Sequence, residues 1–490
     1  MKAHPLSPYQ IPIFALLAGV SIFSGLTPSA MAQMVGFPDP AAVHAQEDLA
    51  NRTMGDFEAN ADPQAGLNPE FSASVAAALD PGTVGKWSGI IGGLPVVPIF
   101  VALLPDGRAL MWDSVGDNPA ESYTNHTFTR AAVWDPGTST FTNVNLSGHN
   151  LFCAGFAHLT DGSLFVAGGN KDKQLNGIKQ THIFDYNNDT WYAGPNMASE
   201  RWYPSVATLA DGEHVVMGGG PSIPEVTQGD HTSFRKLTKA GWGSHAREYP
   251  FVQLAPNGKV LYAGPNNKMK FLGTQGTGTW QILGARDTRY RYYGSYAIFN
   301  ANAAKWLVAG GGPSGAAPTN TAVVIDVSAS GAPPVASSTG NMNYKRRQHN
   351  LTVLPDGTVL ATGGLNSTAG LVDLNAAVYH AELWTPPPTG TWKILAPQAV
   401  ARQYHSVALL LPDGRVMSGG GGVCGKCQQK GYLRKDIEIF SPPYLFKKDG
   451  TGLPADRPQI FSAPSDVHYG VPFTINVTQG INKIALTKLA

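Results

Sequence analysis

From Lys86 onward, short apolar runs alternate with polar, glycine-bearing turns in a rhythm too brief for helices. Val101-Ala102-Leu103-Leu104 leads into Pro105-Asp106-Gly107, and Leu110-Met111-Trp112 follows. The unit returns around Asp161-Gly162, Asp211-Gly212, Asn257-Gly258, a degenerate Asn302, Asp356-Gly357 and Asp413-Gly414. Most copies end in paired glycines such as Gly168-Gly169 and Gly363-Gly364. Asp-Gly accepts the positive φ of a tight hairpin, and Gly-Gly lets backbones approach closely. Successive turns lie 45 to 57 residues apart. Second halves such as Ile183-Phe184-Asp185 with Thr190-Trp191, and Glu382-Leu383-Trp384 with Thr391-Trp392, add two strands to each period.

A four-stranded unit of roughly 50 residues repeated radially is a propeller blade of kelch type. The pattern therefore predicts an all-β chain whose residues 86–450 form a seven-bladed β-propeller. Lys86-Trp87-Ser88-Gly89-Ile90 would close the last sheet. From Arg457 the period stops, and 457–461, 472–477 and 483–486 read as strands of a second β-domain. Residues 457–490 are expected to begin an immunoglobulin-like sandwich that is truncated, since such a fold needs about seven strands. At the other end, the apolar run Ile11–Leu26 follows Lys2 and His4 and precedes Ala30-Met31-Ala32. This is the layout of a secretory signal peptide over residues 1–32, so the mature chain is expected to be secreted or periplasmic, without a membrane span. The run is short and broken by Gly and Ser, which argues against an anchor. Residues 33–85 read as a spacer or loosely ordered lead-in.

Composition narrows the partners. Lys+Arg number 35 against 34 Asp+Glu, a net charge of +1 that offers no basic stripe to nucleic acid. At 43% apolar and 10% aromatic, the chain can bury a sizeable core. Glycine (56) and proline (37) are too abundant for long helices. The three cysteines are Cys153, Cys424 and Cys427, so one is left over after any disulfide.

Three segments stand just before repeat turns: Phe152-Cys153-Ala154-Gly155, Arg201-Trp202-Tyr203-Pro204-Ser205 and Ala401-Arg402-Gln403-Tyr404-His405-Ser406. Each falls where an inner strand begins near the propeller axis, so residues distant in sequence can converge. Cys153, Tyr203, Tyr404 and His405 form a possible metal set of the N,O type that suits Cu(II). Alone, each has a plainer reading: Cys153 as a small buried hydrophobe, the tyrosines as packing aromatics. Tyr404 and His405 are neighbours and would face opposite sides of a regular strand, so both can serve one site only where the strand start is irregular.

These segments, with Leu411-Pro412-Asp413-Gly414-Arg415-Val416, Cys424-Gly425-Lys426-Cys427 and Glu438-Ile439-Phe440-Ser441-Pro442-Pro443-Tyr444-Leu445, resemble the copper radical oxidases typified by galactose oxidase and glyoxal oxidase. The likeness runs from about Lys86 to the end. It implies copper- and O2-dependent oxidation of a primary alcohol or aldehyde, giving H2O2. By the resemblance, Cys153 forms a thioether with Tyr203, the radical-bearing copper ligand. Tyr404 is the axial ligand and base, and His405 an equatorial ligand. Arg346 aligns with a substrate-binding arginine, with Arg347 as its rival. Cys424 and Cys427 read as a disulfide across a glycine-rich turn, or as half a zinc site that lacks a second pair.

The chain also departs from the family. The loop Gly219-Gly220-Pro221-Ser222-Ile223-Pro224 has no aromatic to stack over Tyr203. The family's second histidine ligand lies in a C-terminal Thr-His segment not found within these residues, which implies impaired oxidase activity; His349 is the substitute to inspect. The competing expectation is a non-catalytic propeller that binds a glycan or protein partner.

Overall fold

The computed structural model describes residues 62–70 and 79–485, apart from 229, 242–247, 301–303, 314, 329–331, 465–466, 468–470 and 481–483. The signal peptide expected over 1–32, much of the lead-in and Asn302 lie outside those residues. Seven antiparallel sheets follow one another along the chain. Their first strands are Phe100–Leu103, Gly155–His158, Pro204–Thr208, Val252–Leu254, Ser295–Asn300, Arg347–Val353 and Ser406–Leu410. First strands of adjoining blades pack against one another, which places them innermost in a seven-bladed propeller. Blades 1 to 6 have four strands in sequence order, except that blade 1 skips the short Phe128–Thr129 strand. Blade 7 is closed from the other end of the chain, with Lys86 opposite Ser441 and Trp87 opposite Phe440. Trp87 packs on the Phe440 ring at 4.9 Å and donates its indole N–H to the Ala396 carbonyl. Closure with Lys86-Trp87 is the arrangement that the repeat count anticipates.

Sequence alternation explains the packing. Second strands are buried almost throughout, as in Leu164–Ala167 and Val359–Leu365, while outer strands such as Thr190–Ala193 present mostly exposed residues. Cores form between blades. Trp112, Phe184 and Leu164 join blades 1 and 2, and Trp306 with Phe271 joins blades 4 and 5. Gly363 shows why glycine closes these hairpins. Its φ is +67°, and a Cβ there would strike the carbonyl of Arg402, where the lead-in to blade 7 passes.

Buried ion pairs fix those lead-ins. Arg201–Glu225 (2.9 Å), Arg346–Glu382 (2.6 Å) and Arg402–Glu438 (3.3 Å) are fully buried at both ends. Each glutamate also accepts backbone N–H groups of its own blade's lead-in, as Glu382 does from Asn343 and Tyr344. Removing one partner strands a buried charge. Glu382→Ala is therefore expected to cost about 3–5 kcal/mol in denaturant unfolding, whereas a loss under 1 kcal/mol (roughly one exposed pair) would deny the staple its role.

Histidine 182 sets a pH limit on stability. Burial, with His149 at 3.2 Å, pushes its pKa down to about 4. The unfolded chain binds a proton near the ordinary value of about 6.5 that the fold refuses, so stability holds above that pH and is lost as pH falls toward 4. The His182→Phe variant should show a shallower decline across that window, by up to about 3 kcal/mol. An unchanged slope would remove His182 as the cause.

The expected lead-in is docked where it is described. Asn68 N–H bonds the Ala399 carbonyl, Ala401 N–H bonds Gly66, and Arg434 reaches the carbonyls of Pro63 and Ala65. Beyond the propeller, Ile460–Ser462 pairs with Asn476–Val477 in a two-stranded ribbon. Its neighbourhood exposes Ile460, Phe461, Phe473 and Ile484. Among the described residues, no helix is long and apolar enough to cross a membrane.

Candidate active site

The strand starts at one end of the axis share a backbone signature. Cys153 (φ 62°), Tyr203 (66°), Tyr249 (38°), Tyr293 (54°), Gln348 (55°) and His405 (65°) all take the left-handed conformation, one for each of blades 2 to 7. Non-glycine residues rarely sit there, and such strain gathers at functional sites. Backbone bonds link the ring: Tyr203 N–H donates to the Cys153 carbonyl (2.8 Å), Tyr249 N–H to Tyr203 (2.8 Å), and Gln348 N–H to Tyr293 (2.6 Å).

The kink at His405 meets the condition set by its neighbour. Instead of pointing apart, the Tyr404 and His405 rings stack at 3.8 Å. The Tyr404 hydroxyl lies 2.8 Å from that of Tyr203, two residues 201 positions apart in sequence. Cys153 is buried in one apolar cluster with Tyr203, Phe152 and Trp202, and it is the cysteine outside the Cys424–Cys427 disulfide. That disulfide caps the short helix Gly425–Gln429, directly after the glycine run.

His405 carries the sign of a ligand. Its Nδ1 lies 2.7 Å from the Gly422 carbonyl, which fixes the ring, while the buried Nε2 has no hydrogen-bond partner among the described residues. Ligating histidines are held this way, one nitrogen on a carbonyl and the other open to the metal. Burial pushes its pKa down to about 4, so the imidazole is neutral and able to coordinate at ordinary pH. Among the described residues, no group of three His, Cys, Asp or Glu could hold a metal. The imidazole of His405 and the phenol oxygens of Tyr203 and Tyr404 are a donor set that fits Cu(II).

Other sequence candidates go elsewhere. The Arg346 guanidinium is spent on Glu382 and the carbonyls of Gly363 and His380, and Arg347 on those of Pro313, Ala316 and Ser367. Arg346 thus serves as a blade staple equivalent to Arg201 and Arg402, and its geometry offers nothing to a substrate. His349 pairs with Gly363 inside blade 6, crowded by Gly310 and Gly364, and burial beside Arg346 and Arg291 keeps it neutral. Conversely, aromatic cover for Tyr203 is present despite the bare 219–224 loop. Trp202 stacks on it at 3.9 Å and 19°, and Tyr249 leans on it at 4.7 Å. Tyr293 meets Tyr404 edge-on at 6.3 Å. Tyr249, Tyr293 and Gln348 escape motif reading. The repeated Arg-x-Tyr/Gln of blades 3, 5, 6 and 7 (Arg201, Arg291, Arg346, Arg402) is the signal that could have found the last two.

Residues 109–444 match the family model described as "Glyoxal oxidase N-terminus". The chain belongs to this family. It is a copper radical oxidase family member, as its relatives make plain. A galactose oxidase from Gibberella zeae is 30% identical over 446 residues, covering 85% of this chain and 63% of that protein. An aldehyde oxidase GLOX from Vitis pseudoreticulata is 26% identical over 355 residues, covering 67% of this chain and 66% of its own. A copper-bound fungal alcohol oxidase of the AA5 family superposes with a TM-score of 0.73 at 30% identity, covering 81% of this chain and 84% of that one. The chain thus spans under two thirds of the galactose oxidase it matches.

Proposed function

We propose that this family member is an exported copper radical oxidase that converts a primary alcohol or aldehyde to the next oxidation level and reduces O2 to H2O2. The observation that carries the reading is the meeting of the Tyr203 and Tyr404 hydroxyls at 2.8 Å beside the open Nε2 of His405. Tyr203, Tyr404 and His405 would hold the copper. Copper supplies a one-electron couple, whereas the substrate gives up two electrons. The second store falls to Tyr203, whose phenol is easier to oxidise once Cys153 is joined to its ring as a thioether. Tyr404 takes the proton from the substrate hydroxyl, because its oxygen lies where the site's donors converge. Trp202 and Tyr249 keep water from the Tyr203 ring. Export rests on the Ile11–Leu26 run.

The test is peroxide release from copper-loaded, aerated protein on a panel of primary alcohols and aldehydes, with Tyr404→Phe beside it. Turnover in the parent that falls at least about 100-fold in the variant, the range typical of a lost general base, supports the roles given. Equal turnover in both would remove Tyr404 as the base. A glycan- or partner-binding propeller would instead show copper-independent binding and no peroxide.

A further inference from the structure

We infer that Tyr249 is a positioning residue that holds the Cys153 and Tyr203 segments in the register their covalent joining requires; the inference rests on the oxidase reading above. Three independent contacts converge on it. Its backbone N–H donates to the Tyr203 carbonyl at 2.8 Å. Its hydroxyl donates to the carbonyl of Ala154, the residue after Cys153, at 3.1 Å. Its ring lies on the Tyr203 ring at 4.7 Å and 31°. One residue of blade 4 therefore clamps the start of blade 2 to the end of the blade 3 lead-in. The backbone bond from Tyr203 N–H to the Cys153 carbonyl completes the bracket. Its own φ of 38° is the lowest of the six axial residues. A bulky residue keeps such a conformation only where its surroundings over-determine it.

The joining reaction shows what the clamp serves. Cys153 loses its S–H hydrogen and Tyr203 a ring hydrogen, an S–C bond forms, and O2 accepts both electrons and both protons as H2O2. Sulfur and ring carbon must be held in contact for the copper-assisted step, so a loose 153–154 segment slows bond formation without unfolding the blades. Tyr249 is 37% exposed as a residue although its hydroxyl is buried against Ala154, so trimming the ring opens a gap that is only partly lined by solvent.

The experiment follows the Cys153–Tyr203 peptide by mass spectrometry over time after copper and air are added to metal-free full chain. Parent, Tyr249→Phe and Tyr249→Ala are compared, with thermal unfolding of each. The linked peptide is two hydrogens lighter than the separate pair and survives reduction. Loss of the hydroxyl bond alone should slow linkage roughly fivefold in Tyr249→Phe. Tyr249→Ala should slow it further, by more than the accompanying drop in unfolding temperature of the metal-free protein accounts for. Linkage at the parent rate in both variants overturns the positioning role while leaving the oxidase reading intact. A parent that never links overturns both. Slowing in strict proportion to lost stability would reduce Tyr249 to ordinary packing.

Discussion

Cys153→Ser is expected to abolish the radical absorption of oxidised, copper-loaded protein and to cut peroxide release by at least roughly a thousandfold, about 4 kcal/mol of barrier. The size follows from electron count. In the proposed reaction two electrons leave the substrate, and without sulfur on its ring Tyr203 would be a plain phenol, too hard to oxidise to act as the second store. The fold should be little affected, since serine is of similar volume at a single buried position, and a hydroxyl there costs about 1–3 kcal/mol if unpartnered. Parent-like turnover with an intact absorption band would show that Cys153 is only a small core residue.

His405→Ala should lower copper affinity by more than about 100-fold, since loss of a mere outer-shell partner already costs 10–100-fold. The metal-free protein is affected too. Deleting the ring forfeits the 2.7 Å bond to the buried Gly422 carbonyl and the packing on Phe152 and Tyr404, so the metal-free protein should lose about 1–3 kcal/mol of stability besides that packing. Isothermal titration with Cu(II) and metal-free thermal melts separate the two effects. Unchanged affinity would take His405 out of the ligand set.

The propeller was legible because each blade repeats a turn whose chemistry is local: Asp-Gly at the hairpin, Gly where the next lead-in passes. Even the closing strand at Lys86-Trp87 was expected from the sequence. The site was legible only in part. Cys153, Tyr203, Tyr404 and His405 sit in recognisable segments, but Tyr249 reaches the axis through positive φ, which tyrosine does not announce in a sequence. Arg346 misleads for a related reason. A motif alignment sees an arginine beside the axis, whereas the coordinates show the guanidinium turned into the blade toward Glu382. Docking of residues 62–70 uses mainly their backbone groups, which bond Ala399, Ala401 and the side chains of Tyr379 and Arg434, so the segment itself carries little side-chain pattern.

The central claim is that Tyr203, Tyr404, His405 and Cys153 form one redox site. Its most direct measurement is the mass of the tryptic peptides carrying Cys153 and Tyr203 after copper and air, under full reduction. The account predicts a single species joining both segments, two hydrogens lighter than their sum, that appears only when copper is supplied. Stoichiometric copper binding with both peptides recovered separately, and Cys153 still alkylated by iodoacetamide, would contradict it.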